Sequence, residues 1–134
     1  MTKPSQDIPL PLPTNATVEG PRLHIDEQRL ILEYDHESED GQVRWIRLVF
    51  EEVQVVQYYS GSSCGAEHIQ SSRILRRFNS SPMLTEILAR RKTFLGIQWP
   101  GDDETFGHFR LYFDDVACID IIANNWRTAD GTNE

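Results

Sequence analysis

The segment best suited to chemistry lies near the C-terminus, where polar side chains alternate with apolar ones. His108, Arg110 and Tyr112 are spaced two apart, and Asp120 lies in a second run with the same alternation. Residues two apart on a strand share a face, and a hairpin partner can bring Asp120 opposite them. This face could bind an anion or hold a general base. Alternatively, Arg110 pairs with Asp120 and Tyr112 packs on the arginine stem, as in many cross-strand ladders.

A second candidate group is Cys64, in a loop rich in glycine and serine, with His68 four residues later. A nucleophilic cysteine needs a base within hydrogen-bond reach, which His68 or His108 could supply. A structural zinc site normally has two close ligand pairs, whereas this chain has one loose pair at most. Phosphate-binding loops and nucleophile elbows do not occur in the sequence. We therefore predict no metal, no cofactor and no enzymatic activity.

Cysteine use and hydropathy bear on the compartment. The chain has only two cysteines, Cys64 and Cys118. It shows no basic start followed by an apolar run, as a signal peptide would. No stretch approaches the ~18 apolar residues of a membrane span. We expect a cytoplasmic protein with reduced thiols, because disulfides are rare in that compartment.

The charge balance favours a cationic partner. Thirteen basic and 21 acidic residues give a net charge of −8. This charge opposes binding to nucleic acids and anionic membranes. We predict that two acidic groups contact a partner: Asp35, Glu37, Glu39 and Asp40, and Asp102, Asp103 and Glu104.

The basic residues are concentrated in one part of the sequence. Arg73, Arg76 and Arg77 belong to a window from 73 to 92 that holds six of the thirteen. Such asymmetry could drive head-to-tail self-association, and the three arginines could bind phosphate locally. The alternative is that the opposite charges pair within the fold.

The spacing of apolar residues predicts one α+β domain over residues 21–127. Residues 1–20 hold four of the seven prolines and are expected to be a flexible arm, and residues 128–134 a polar tail. We predict an antiparallel sheet of about six strands, with a break in the long β-prone run at Glu51-Glu52. One amphipathic helix, capped by Ser81 and begun by Pro82, should cover the apolar face of the sheet. The His108 face would then be partly solvated.

The C-terminal half resembles small bacterial proteins that end in an aromatic-His-aromatic strand, an acidic turn and a strand ending in Ile-Ala. The matching residues are Phe106 to Asp115, then Ile119 to Ala123, and Trp126. The run from Phe78 to Leu84 is similar to a helix start in the same proteins, but departs from it at Pro82 and Met83, where a large aromatic residue is expected. Some of these proteins resemble immunity proteins of polymorphic or contact-delivered toxin systems. The resemblance implies a cytoplasmic, non-enzymatic protein with an antiparallel sheet.

Three hypotheses of function follow. The first is an acidic immunity protein that occludes a bacterial toxin, where a basic toxin would be attracted by charge. The second is a small ligand-binding domain or enzyme that uses the face of His108, Arg110, Tyr112 and Asp120. The third is a structural subunit that forms homo-oligomers.

Overall fold

The computed structural model describes residues 5–69, 73–94, 105–114 and 116–130. Within these ranges the chain forms nine strands, two short 3-10 turns and one α-helix. The strands are β1 Ser5–Pro9, β2 Arg22–Asp26, β3 Arg29–Glu37, β4 Val43–Glu51, β5 Val55–Ser60, β6 Ile74–Phe78, β7 Gly107–Phe113, β8 Ala117–Ala123 and β9 Asn125–Asp130. The 3-10 turns are Gly61–Ser63 and Ala66–His68, and the helix α1 is Pro82–Phe94.

The strands form two antiparallel sheets instead of the single six-stranded sheet expected from sequence. One sheet has the order β1-β6-β7-β8-β5 and the other the order β2-β3-β4-β9. The break predicted at Glu51-Glu52 is confirmed, with Glu52 at a φ of 51°. Its consequence was missed, because the chain changes sheets there and β4 and β5 belong to different layers.

The core lies between the two sheets. Phe109, Leu111 and Phe113 of β7 face it, as their alternation predicts. Edge-to-face ring pairs join the layers, with centroids 5.4 Å apart for both Tyr34–Phe113 and Phe50–Phe109. Each sheet therefore covers the apolar face of the other, and the core needs no helix to close it.

The helix α1 packs on the outer face of the five-stranded sheet, which corrects the expectation that it covers the core. Its Leu84 forms a separate apolar cluster with Phe106 and Ile122. The predicted helix start is confirmed: α1 begins at Pro82, and the backbone N–H of Leu84 donates to Ser81 Oγ at 3.1 Å.

The N-terminal segment is part of the fold, contrary to the expected flexible arm. Strand β1 pairs with β6, and Leu10 and Leu12 are buried in the core. Pro9, before Leu10, and Pro11, between the two leucines, are exposed. Prolines are tolerated on an edge strand, and the alternation that suggested an extended arm places the leucines inward. At the other end, β9 includes residues 128–130 of the expected polar tail, and residues 131–134 lie outside the described residues.

Candidate functional site

The floor of the candidate site is the outer face of the β7–β8 hairpin. Arg110 lies opposite Asp120 in this hairpin, and Phe78 of β6 lies opposite His108. The sequence prediction that His108, Arg110 and Asp120 share a face is confirmed. The face is not partly solvated as expected, because His108 is only 4% exposed and Asp120 2%.

Asp120 is the hub of this floor. Its Oδ1 accepts hydrogen bonds from His108 Nε2 at 3.0 Å and from Arg110 Nε at 2.8 Å. Its Oδ2 accepts from His68 Nε2 at 3.2 Å. Burial alone would raise the pKa of Asp120, but the hydrogen bonds from His108 and Arg110 and the charge of Arg110 outweigh it. The pKa therefore falls to about 2, and the carboxylate is ionised at neutral pH.

Both histidines are tied to Asp120 through Nε2 and to a second partner through Nδ1. His68 Nδ1 accepts from the backbone N–H of Gly65 at 3.1 Å, which leaves its Nε2–H to donate to Asp120. His108 Nε2–H donates to Asp120, and its Nδ1 is hydrogen-bonded to Ser81 Oγ at 2.8 Å. Both nitrogens of each ring are therefore engaged.

Two separate segments form the walls of a cleft above this floor. One wall is the start of α1, and the other is the loop of residues 61–69. A disulfide between Cys64 and Cys118, with Cα atoms 6.0 Å apart, joins this loop to β8. The cleft has a volume of about 420 Å³ and is lined by Tyr59, Glu67, His68, Phe78, Ser80, Ser81, Pro82, Met83, His108, Arg110 and Asp120.

The disulfide corrects two sequence-based expectations. Cys64 and Cys118 were expected to be reduced thiols, and Cys64 was a candidate nucleophile. A sulfur held in a disulfide is not a thiolate, so Cys64 cannot act as one in this state. Its suggested base, His68, instead belongs to the Asp120 network.

Tyr112, the remaining member of the predicted ligand face, is not among the residues that line the cleft. It lies opposite Cys118, and its carbonyl accepts a hydrogen bond from Thr14 Oγ1 at 2.5 Å. The aromatic neighbour of the Arg110 guanidinium is Phe78, with the ring centroid 5.0 Å from Cζ. Of the two predicted arrangements, the Arg110–Asp120 ladder is therefore present, and Phe78 provides its aromatic surface.

Asp35 does not belong to an exposed acidic surface, contrary to prediction. It is fully buried and accepts the backbone N–H groups of Val18, Glu19 and Gly20 at 2.8–3.1 Å. Burial raises the pKa of Asp35, but these hydrogen bonds together lower it by a larger amount. The net shift of the pKa is therefore downward. A Cβ on Gly20 would lie 2.9 Å from Tyr34 Cα, so this close approach requires glycine. Asp35 is therefore an anchor for the segment that precedes β2.

The other predicted acids divide into two groups. Glu37, Glu39 and Asp40 are exposed at the β3–β4 connection. Asp40 accepts hydrogen bonds from the Ser38 hydroxyl and from the backbone N–H of Gln42. Asp102, Asp103 and Glu104 lie outside the described residues.

At least four arginines of the basic window are engaged within the fold, because Arg90 pairs with Glu86 and the Arg91 guanidinium lies over the Phe106 ring in addition to the contacts of Arg76 and Arg77. Arg76 Nε donates to Asp7 at 2.8 Å, and an Arg77 nitrogen donates to the carbonyl of Thr105 at 3.1 Å. Arg73, which directly precedes β6, is exposed. For Arg76 the alternative of pairing between opposite charges within the fold is the one observed.

Ser81, His108 and Asp120 form a hydrogen-bonded chain of the order used to activate a nucleophilic serine. Two features weaken this role. The carboxylate is shared with Arg110 and His68, so it stabilises a protonated His108 less. Ser81 Oγ also accepts the N–H of Leu84 as a helix cap. These hydrogen bonds between Ser81, His108 and Asp120 can hold the start of α1 against the floor whether or not Ser81 is reactive.

Comparisons with known proteins do not identify the chain: no protein family, curated protein or solved structure matches it. Among the described residues, no helix is long and apolar enough to cross a membrane. Within the same ranges, no group of three or more histidine, cysteine, aspartate or glutamate residues is arranged to hold a metal ion.

Proposed function

We propose that this chain is a non-enzymatic binding protein of the immunity type, and that the cleft above Asp120 receives part of a protein toxin. The main observation behind this proposal is that one buried carboxylate, that of Asp120, is connected by hydrogen bonds to both walls of the cleft. Asp120 binds His68 of the loop wall directly, and it holds His108, which binds Ser81 at the start of α1. The walls are therefore fixed before any partner arrives.

The fixed walls favour recognition of a partner. Association is weakened by the cost of ordering loops and side chains at an interface, and a cleft with fixed walls avoids much of that cost. The histidine nitrogens and Asp120 oxygens on the floor are already engaged in internal hydrogen bonds. The cleft is also lined by Tyr59, Phe78 and Met83, which are side chains of the type that anchors protein interfaces.

The charge of the chain supports a basic toxin as the partner. A net charge of −8 accelerates encounter with a cationic protein. The exposed acids Glu37, Glu39 and Asp40 would contribute to this long-range attraction, together with Asp102, Asp103 and Glu104 of the predicted acidic surface. The resemblance of the C-terminal half to immunity proteins supports the same class of partner, and a cytoplasmic site of action is part of the proposal.

Blocking the cleft tests the proposal. Ser80 is exposed at the cleft wall, so Ser80→Trp adds a large side chain there without removing a core residue. With a toxin recovered by pull-down with the wild-type protein as the ligand, we expect its Kd to rise about a hundredfold or more, since central contacts dominate affinity. Ser62→Trp, on the exposed 3-10 turn outside the cleft lining, is the matched control and should bind as wild type does. Equal binding by the two variants, measured by calorimetry, would remove the cleft from the interface.

The Ser81–His108–Asp120 chain favours a second candidate function, acyl transfer by Ser81 on an ester or amide. A fluorophosphonate probe tests it, because such probes label activated serines. Ser81→Asn keeps a helix-capping side chain while removing the hydroxyl. We expect no labelling of the wild-type protein, in agreement with a binding role. Labelling of wild type that is lost in Ser81→Asn would identify an enzyme and overturn the non-enzymatic proposal.

A further inference from the structure

In the part of the chain that the structure describes, the two sheets have four edge strands, and three of them carry features that discourage pairing with another chain. Strand β1 contains Asp7 and Pro9, and β2 contains Arg22 and Asp26. Strand β9 contains Arg127 and Asp130. Charged residues and prolines at sheet edges prevent unwanted strand addition, because unpaired backbone groups there are a template for another strand.

The fourth edge, β5, has no such protection. Its six residues, Val55–Ser60, include neither a charge nor a proline. It belongs to the longest uncharged stretch of the chain, which runs from Val53 to Ala66 between Glu52 and Glu67. Among the described residues, β5 pairs only with β8. Gln57 and Tyr58 are exposed, and Tyr58 leaves half of its surface in solvent.

We propose that β5 pairs antiparallel with β5 of a second copy of this chain, across a two-fold axis. A two-fold axis brings a strand against itself, so a charged residue near the axis meets the same charge. Like charges directly opposite destabilise a strand pair, so Asp7 at the centre of β1 would oppose its own copy. Self-pairing of β2 or β9 would bring charged side chains into the new contact, where they lose contact with water. Among the described edges, β5 is the one that carries no charged residue, so two copies can pair there without opposing or desolvating a charge.

The side chains of β5 also suit this contact. Val56 packs against the core, and Tyr58 follows on the same face at the open edge of the sandwich. Pairing would cover part of each Tyr58 ring, and aromatic cross-strand pairs stabilise antiparallel strands. The backbone groups on the open side of β5 would become hydrogen-bonded. This contact does not depend on the proposed toxin or on the cleft.

Sedimentation velocity over a range of concentrations tests the proposal, with lysine placed on the strand. We expect wild type to be a concentration-dependent dimer. Gln57→Lys and Tyr58→Lys should each raise the dimer dissociation constant about tenfold or more, because each places two like charges close to the axis of an otherwise uncharged contact. His24→Lys, on the exposed β2 edge, is the control and should leave the constant unchanged. All three variants change the formal charge equally, to about −7.

Hydrogen exchange provides a second readout. Protection of β5 amides should increase with concentration in wild type and in His24→Lys, but not in Gln57→Lys. A wild-type protein that stays monomeric at several hundred micromolar would overturn the proposal. A dimer that both β5 lysines leave intact, with unchanged protection of β5, would also overturn it.

Discussion

Replacing Asp120 by asparagine should lower the free energy of unfolding by about 3–5 kcal/mol, the usual result of removing one partner from a buried ion pair. The amide has nearly the shape of the carboxylate but no charge for Arg110. One of its atoms is a donor, whereas the carboxylate accepts from His68, His108 and Arg110. At least one donor–donor conflict follows in any orientation of the amide. Urea denaturation at neutral pH measures the change.

A control for this variant lies in the same row of the sheet. Gln57 is opposite Asp120 on β5 but is exposed, so Gln57→Ala should change stability by less than about 0.5 kcal/mol. If Asp120→Asn were as mild as this control, Asp120 would not be the group that holds the cleft together.

The stability of the wild-type protein should also depend on pH through Asp120. Its pKa in the folded protein is about 2, below its ordinary value of 3.8. The carboxylate therefore stabilises the fold above about pH 4, and this contribution is lost as the pH falls towards 2. The contribution is on the order of 2 kcal/mol, since each unit of pKa corresponds to 1.36 kcal/mol. The difference in unfolding free energy between wild type and Asp120→Asn should therefore narrow by about 1.5–2 kcal/mol between pH 6 and pH 2.5.

Local patterns in the sequence predicted the parts of the site that depend on local structure. Alternation along residues 107–123 predicted which side chains of the hairpin face outward, and therefore that Arg110 could meet Asp120. The Ser81-Pro82 pair predicted the start of α1, because a cap depends on only a few neighbouring residues. These features need no information about how distant segments pack.

The remaining parts of the site depend on contacts between distant segments. His68 reaches Asp120 across 52 positions of sequence, and nothing near His68 in sequence indicates that partner. Ser81 was recognised as a helix cap, but its bond to His108 requires α1 to lie on the outer face of the sheet. The second sheet was missed because β4 and β5 read as one β-prone run with a break, and the break does not reveal that the chain changes layers.

Breaking the Cys64–Cys118 disulfide should lower the free energy of unfolding by about 4 kcal/mol. The two cysteines are 54 positions apart, and the chain-entropy relation gives about this value for a closed loop of that length. Cys64→Ser is the suitable variant because Cys64 is only partly buried, whereas Cys118 is fully buried. Denaturation of wild type and Cys64→Ser, each with and without dithiothreitol, measures the effect.

The effect of dithiothreitol on Cys64→Ser is the control for its effect on wild type. It should destabilise wild type to the level of Cys64→Ser and leave the variant unchanged. An effect of dithiothreitol on the variant would indicate a cause other than this disulfide. No effect on wild type would show that the thiols are reduced in the purified protein, as the sequence alone suggested.

The disulfide also links stability to the cleft. It ties the loop of residues 61–69 to β8, and this loop carries His68 to Asp120. In Cys64→Ser we therefore expect faster hydrogen exchange at Gly65, whose N–H donates to His68, while amides of the β7–β8 hairpin remain protected. Because disulfides persist mainly in oxidising compartments, alkylation of the two cysteines in intact cells tests the expected location. Protection from alkylation would place the protein outside the reducing cytoplasm and contradict the proposed cytoplasmic site of action, whereas free thiols would agree with it.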